Sequence, residues 1–298
     1  MSGLNSVRSL ARILGVTRGQ LQNVADNIDA HYHEWPSTDD RTGKVRQIRS
    51  PSAELKSIQR RLAKRLFRCT SLGPEVQGGV RGRSTLTNAA MHLGRACLVT
   101  IDVKRFFPSV RHPIVYRMLR FEFGFGREVV RLVTRLVTYD GQLPQGAPTS
   151  SAIANWLLHI PVDEPVVAET HRLRLGYSRF VDDLAVSGDR PREIINLIAR
   201  QLSTRRLAIS RKEKLRIMPR SKPQRITGLL VNGCKPSVPK QKRDQVRAAV
   251  HALKRVPAGA LRDRALQSIR GRVAYVKRFN PGTAARLEKQ LQATGFAK

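Results

Sequence analysis

Acidic residues are scarce in this chain. Only 22 Asp and Glu stand against 55 Lys and Arg, a formal charge of +33 over 298 residues. A surplus of that size repels itself unless a polyanion neutralises it, and nucleic acid is the usual polyanion. Cysteine is rarer still: Cys69, Cys97 and Cys234 are odd in number and scattered, without CxxC or His-paired spacing. That pattern speaks against a disulfide framework or a zinc site and points to a reduced, cytoplasmic setting. No apolar run approaches the ~20 residues of a membrane span. The apolar stretch near the N-terminus is short and broken by Arg8 and Arg12, unlike a secretory signal. Internal repeats and low-complexity tracts are also missing. Hydrophobic residues make up 41%, near the globular norm, so the chain is not a disordered polybasic tail.

The positive charge is unevenly spread. Residues 200–298 hold 16 Arg and 10 Lys against four acids, Glu213, Asp244, Asp263 and Glu288, so two-thirds of the surplus lies in the last third. A ribosomal-type RNA-binding protein shares this composition, and composition alone does not choose between binder and enzyme.

Periodicity sets out the elements. Residues 4–30 read as helical, and 36–50 as a hairpin turning around Gly43. Residues 53–67 form an amphipathic helix with a basic outer face. The apolar run 96–101 reads as a buried strand ending on Asp102. Helices follow near 112–122 and 127–139, then a Gly- and Pro-rich turn opening an apolar segment at 151–160. Residues 175–188 read as strand, tight turn, strand. A helix at 191–207 and strands near 215–218 and 226–232 complete this block. Pro236–Pro239 marks a linker into a basic, helical terminal unit, 240–298.

In so basic a chain Asp102, Asp182 and Asp183 are conspicuous. Asp102 ends a buried strand, and Asp182–Asp183 sit at the tip of the expected hairpin. Paired side by side, the two elements bring three carboxylates to one sheet edge, where like charges repel. Hard divalent cations relieve that repulsion through carboxylate oxygens and keep positions open for water and phosphate. Two ions about 3.5–4 Å apart stabilise attacking and leaving oxygens in phosphoryl transfer. An isolated Asp-Asp is more often an Asx turn; the neighbouring motifs decide the matter.

Those motifs are IDVKRFFPSV (101–110), LPQGAPTSS (143–151) and YSRFVDD (177–183), followed by KEKLRIMP (212–219) and ITGLLVN (226–232). In order and spacing they resemble palm motifs A to D, and the element after them, of reverse transcriptases. Asn88-Ala89-Ala90-Met91-His92 resembles the NAxxH pattern of bacterial retron reverse transcriptases, and Ile226-Thr227-Gly228 their VTG element. The resemblance implies an α+β right-hand polymerase whose antiparallel palm sheet carries the catalytic carboxylates. It divides the chain into an N-terminal helix and fingers at 1–95, a palm at 96–235 with fingers elements within about 112–148, and a basic helical thumb at 236–298.

Residue roles follow from the same resemblance. Asp102, Asp182 and Asp183 become catalytic metal ligands, with the Val103 carbonyl a further one, for two Mg²⁺ ions or substituting Mn²⁺. Phe107 matches the aromatic gate against a nucleotide 2′-OH; core packing is expected to claim one of Phe106 and Phe107. Gln145 and Gly146 face the incoming nucleotide and template, Arg46 and Lys44 its triphosphate, and Lys214 the departing pyrophosphate. RNA contacts fall to Asn88, His92, Thr227 and Gly228, and in the thumb to Arg270, Arg272, Tyr275 and Lys277. Departures occur: Phe180 stands where Tyr is usual, Val181 is bulkier than Ala, and Arg105 and Arg211 replace Asp and Asn. None removes a metal ligand. About sixty residues follow Val238, too few for the maturase and endonuclease parts of group II intron proteins. The implied partners are a cognate structured non-coding RNA and its DNA product, dNTPs and a separate effector in anti-phage defence, with no membrane. Two alternatives are an abortive-infection-type polymerase without a cognate RNA and a silent RNA-binding scaffold.

Overall fold

The helix expected over 4–30 is two helices, Val7–Leu14 and Arg18–Asp26, in the computed structural model, which describes residues 3–38, 43, 45–67, 72–210 and 215–293. Gly15 ends the first at φ +64°, and Thr17 starts the second by exchanging hydrogen bonds with Gln20. A left-handed residue followed at once by a capping box breaks a pattern whose apolar spacing runs straight through it. Arg61 donates to the Leu14 and Gly15 carbonyls, each at 2.8 Å, so the helix Ala53–Arg65 closes this end.

The expected hairpin is present: β1 (Tyr32–Thr38) pairs antiparallel with β2 (Val45–Pro51). Arg49 of β2 bonds Asp140 at 2.8 Å and lies over the Tyr139 ring, which stacks on Tyr32. The hairpin is thereby tied to the segment that leads into Gln145.

A four-stranded antiparallel sheet in the order β4-β5-β3-β6 forms the centre. Its strands are β3 (Cys97–Asp102), β4 (Gly176–Phe180), β5 (Asp183–Gly188) and β6 (Arg216–Pro219). Alternation gives it two faces. Val99, Ile101, Tyr177, Leu184 and Val186 enter a large core that also takes in Leu10, Leu62, Leu136 and Leu157 from the helices. Leu98 and Ala185 point the other way, into a smaller core with Met218, Ile226, Leu229, Val231 and Val238. The strand expected at 226–232 is instead a two-stranded pair, β7 (Arg225–Ile226) and β8 (Leu229–Leu230), because Thr227 and Gly228 turn at φ +44° and +82°.

Beyond the linker three helices, Lys240–Ala252, Ala260–Phe279 and Pro281–Gln292, share a core of their own around Val250, Val273 and Leu287. Tyr275 and Phe279 lean out of it onto the smaller core behind the sheet. Among the described residues no helix is long and apolar enough to cross a membrane.

His92 pins the helical segment before β3 to the sheet. It is buried, with Nδ1 2.7 Å from Ser187 Oγ and Nε2 2.8 Å from Ser178 Oγ. Burial, reinforced by the charge of Arg95, pushes its pKa down to about 4. Between that value and the ordinary 6.5 the unfolded chain binds a proton that the folded chain refuses, so stability falls as pH falls through this window. At pH 7 this contribution is fully present, and below pH 4 it is gone. Urea unfolding from pH 7 to pH 4 is expected to cost the wild type about 3 kcal/mol more than His92→Gln. Parallel curves for the two proteins would place the His92 titration elsewhere.

Candidate active site

Register brings the three aspartates together. Asp102, the last residue of β3, lies directly opposite Asp183, the first of β5, and Phe180 pairs with Asp183 to close the β4–β5 hairpin over Val181 and Asp182. Cross-strand partners share a face with Cβ atoms about 4.5–5.5 Å apart. The Val103 N–H donates to the Asp182 carbonyl at 3.3 Å, which ties the turn to the strand carrying Asp102. Asp102 is buried, Asp182 partly so, and Asp183 exposed. Such a graded edge is open to solvent on one side. Like charges placed opposite each other are unfavourable unless a cation intervenes, and all-oxygen donors suit a hard divalent ion. The residues therefore fit the metal that the motifs call for.

Elements around this edge carry the other expected groups. Phe106 is buried in the core, while Phe107 is half-buried and packs edge-on against it at 5.4 Å. Of the two rings, Phe107 is thus the one left partly exposed, five residues beyond Asp102. The Gln145 carbonyl accepts from the Arg49 N–H at 3.3 Å, so β2 of the hairpin rests on the 143–151 turn. Gly146 is exposed at φ +111°. Arg46 lies on β2 opposite Ser37. Lys44 and Lys214 lie outside the described residues.

A family model described as "Reverse transcriptase (RNA-dependent DNA polymerase)" matches residues 36–231, which include every strand of this sheet. The chain belongs to the reverse transcriptase family. It is 31% identical to the retron Mx65 reverse transcriptase of Myxococcus xanthus, over 96% of this chain and 71% of that protein. It is 28% identical to the retron Se72 enzyme of Salmonella heidelberg over 84% of this chain and 68% of that one, and 28% identical to the retron Ec86 enzyme of Escherichia coli over 70% and 65%. This reverse transcriptase is accordingly of the bacterial retron type, an RNA-directed DNA polymerase with the right-hand polymerase fold, acting on a nucleic acid template and dNTPs.

Elsewhere in the reverse transcriptase, the expected RNA-contact residues fall into two groups. Asn88 is buried beside His92; its Oδ1 accepts from Ser178 Oγ at 2.6 Å and its Nδ2 donates to Thr227 Oγ1 at 3.4 Å. Both side chains thus serve protein partners: Asn88 bonds the Thr227–Gly228 turn directly, and His92 reaches it only through Ser178 and Asn88. In the helix Ala260–Phe279, Arg270 and Arg272 are exposed, and Lys277 bonds Glu288 at 3.0 Å. The Tyr275 ring is half-buried between Phe279 and Lys242, whose ammonium lies 4.6 Å from the ring centre.

A further cluster, Glu75, His159 and Asp163, brings one ligand atom from each within 4.8 Å. Both Asp163 carboxylate oxygens already accept from Arg179, and Oδ1 also from Tyr177. This site is an ion-pair network beneath the β4–β5 hairpin. Sequence reasoning missed its members. The available signal was Arg179 itself, a cation inside a short strand that also holds Tyr177 and Phe180.

The segment 75–78 docks beside the same hairpin: the Arg179 N–H donates to the Glu75 carbonyl at 2.8 Å, and the Gln77 N–H to the Arg179 carbonyl at 2.7 Å. A Cβ at Gly78 would stand 2.5 Å from the Val181 nitrogen, so only glycine fits under the turn. Gly78→Ala is expected to destabilise the protein by about 1–3 kcal/mol in urea unfolding and to lower DNA synthesis. An unchanged unfolding midpoint would mean that the segment is not seated there.

Proposed function

We propose that this chain reverse-transcribes a cognate structured non-coding RNA into RNA-linked single-stranded DNA in the cytoplasm, in anti-phage defence with a separate effector. The observation that carries the reading is the cross-strand pairing of Asp102 with Asp183, with Asp182 in the turn between β4 and β5. Retron identity rests on similarity to the retron enzymes over most of the chain.

Asp102, Asp182 and Asp183 hold two Mg²⁺ ions, which Mn²⁺ can replace, and the Val103 carbonyl serves as a further ligand. When bound, such ions lower the pKa of an attacking hydroxyl and neutralise charge on the triphosphate. Phe107 excludes a 2′-OH beside the sugar and so selects dNTPs. Gln145 and Gly146 pack against nucleotide and template from a turn that β2 steadies. Arg46 and Lys44 pair with the triphosphate, and Lys214 delivers a proton to pyrophosphate. The unit 236–298 acts as a thumb: Arg270, Arg272 and Lys277 meet RNA phosphates, with a salt-dependent affinity that counterion release dictates, and Tyr275 adds a stacking surface. Asn88 contributes by holding the Thr227–Gly228 turn, and His92 by fixing the Ser178 hydroxyl that bonds Asn88. Residues 1–95 and 96–235 serve as fingers and palm.

One experiment tests both halves of the reading. Wild type and Asp182→Asn are purified alike, and the nucleic acid that accompanies each is sequenced. The wild type is expected to carry a single RNA species joined to short DNA. The variant should carry the same RNA, with DNA reduced about 100-fold or more, since an anionic metal ligand is lost and no basic contact is. DNA on the variant at wild-type level would overturn the metal assignment. A random RNA mixture on the wild type would overturn the cognate-RNA reading in favour of an abortive-infection-type polymerase.

A further inference from the structure

Arg179 and Asp163 are both fully buried, and Arg179 is the largest of the fully buried side chains. A buried ion pair is costly to assemble, and the loss of one partner costs more because the other charge remains. An apolar pair would hold the sheet to its helices as well. The arrangement of the guanidinium shows what the pair adds.

All five N–H donors of Arg179 have acceptors. Nε and Nη2 bond the two Asp163 oxygens at 2.8 and 2.6 Å. Nη2 also donates to the Asn155 carbonyl at 3.2 Å, and Nη1 to Asn155 Oδ1 at 3.0 Å. The remaining donor of Nη1 reaches the Val181 carbonyl at 2.9 Å. Asn155 in turn donates to the Gly78 carbonyl at 2.7 Å, which fixes the segment under the turn. Tyr177, whose pKa burial pushes well up, stays protonated and donates to Asp163 Oδ1 at 2.7 Å.

The Val181 carbonyl is a telling acceptor. Val181 sits at φ +61°, a left-handed conformation that a β-branched residue adopts only under constraint, at a cost of about 1–3 kcal/mol. Its carbonyl belongs to the peptide that enters Asp182. The peptide that leaves Asp182 is held by the Val103 N–H. Strand alternation places Arg179 on the face opposite Asp183, so it reaches the turn from beneath while the carboxylate edge stays open.

We propose that Arg179 is a positioning residue, which, with Asn155 and Asp163, fixes the Val181–Asp182 peptide and so sets where the Asp182 and Asp183 carboxylates stand for metal. The proposal rests on the reading of Asp102, Asp182 and Asp183 as the metal site. Arg179 touches neither metal nor substrate; it acts through the backbone of the turn. A lysine there retains a charge for Asp163, but its single nitrogen does not span Asp163, Asn155 and the Val181 carbonyl together.

The test compares Arg179→Lys and Asn155→Ala with wild type and Asp182→Asn in the full chain. Thermal unfolding measures the folded fraction, the free-ion electron paramagnetic resonance signal measures Mn²⁺ binding, and primer extension on an RNA template gives the half-saturating Mg²⁺. Arg179→Lys and Asn155→Ala are expected to need about 10-fold more Mg²⁺ and to bind Mn²⁺ correspondingly more weakly, with RNA affinity unchanged. Unchanged metal affinity, with activity falling only as the folded fraction falls, would reduce the network to a structural support and overturn the proposal. If Arg179→Lys does not fold, Asn155→Ala decides, because it leaves the Arg179–Asp163 pair in place. Wild-type Mn²⁺ binding by Asp182→Asn would remove the metal-site reading itself, an outcome separable from any effect of Arg179.

Discussion

Both peptide groups of Asp182 are held by hydrogen bonds, one from Arg179 below the sheet and one from the Val103 N–H of the neighbouring strand. Much of the central architecture serves that arrangement. β3 and β5 set Asp102 opposite Asp183, β4 carries Arg179, the helix Ser150–Leu158 carries Asn155, and Asp163 immediately precedes the helix Glu164–Arg172. Gly78 leaves room for the turn. A turn strained at Val181 persists only where its surroundings over-determine it, and here hydrogen bonds, steric fit and a buried ion pair all do so.

Electrostatics give this edge its meaning. In a chain of net charge +33, three aspartates on one short stretch of sheet form a local reversal of sign. A basic surplus of this size suits a polyanion, and an acidic edge suits the cations that a phosphoryl transfer needs. The two features belong to different parts of the sequence: the basic surplus is concentrated after residue 200, whereas the aspartates lie on the central sheet.

Much of this was legible in the sequence. The hairpin closed by Phe180 and Asp183, the strand ending at Asp102 and the terminal helices all follow from apolar periodicity and turn residues. Local patterning is a sound guide where an element's own burial decides its form. It failed where backbone dihedrals intervened. Gly15 splits one apolar stripe into two helices, and Thr227–Gly228 folds one expected strand into a pair. It also says nothing of long-range polar partners. That Asn88 and His92 turn inward to Ser178 and Ser187, or that Arg179 meets an aspartate sixteen positions earlier, depends on how the sheet and helices are stacked. The sequence motifs mark these residues as distinctive without distinguishing a ligand contact from a buried support.

Iron-directed cleavage tests the central claim most directly. Fe²⁺ replaces Mg²⁺ in the purified protein, ascorbate and peroxide generate hydroxyl radicals at the bound ion, and the cut positions are mapped by mass spectrometry. Cleavage is predicted beside residue 102 and at 182–183, the two places that β3–β5 pairing brings together. Cuts confined to the neighbourhood of Glu75 and His159 would place the ion in the buried cluster below the sheet and contradict the account.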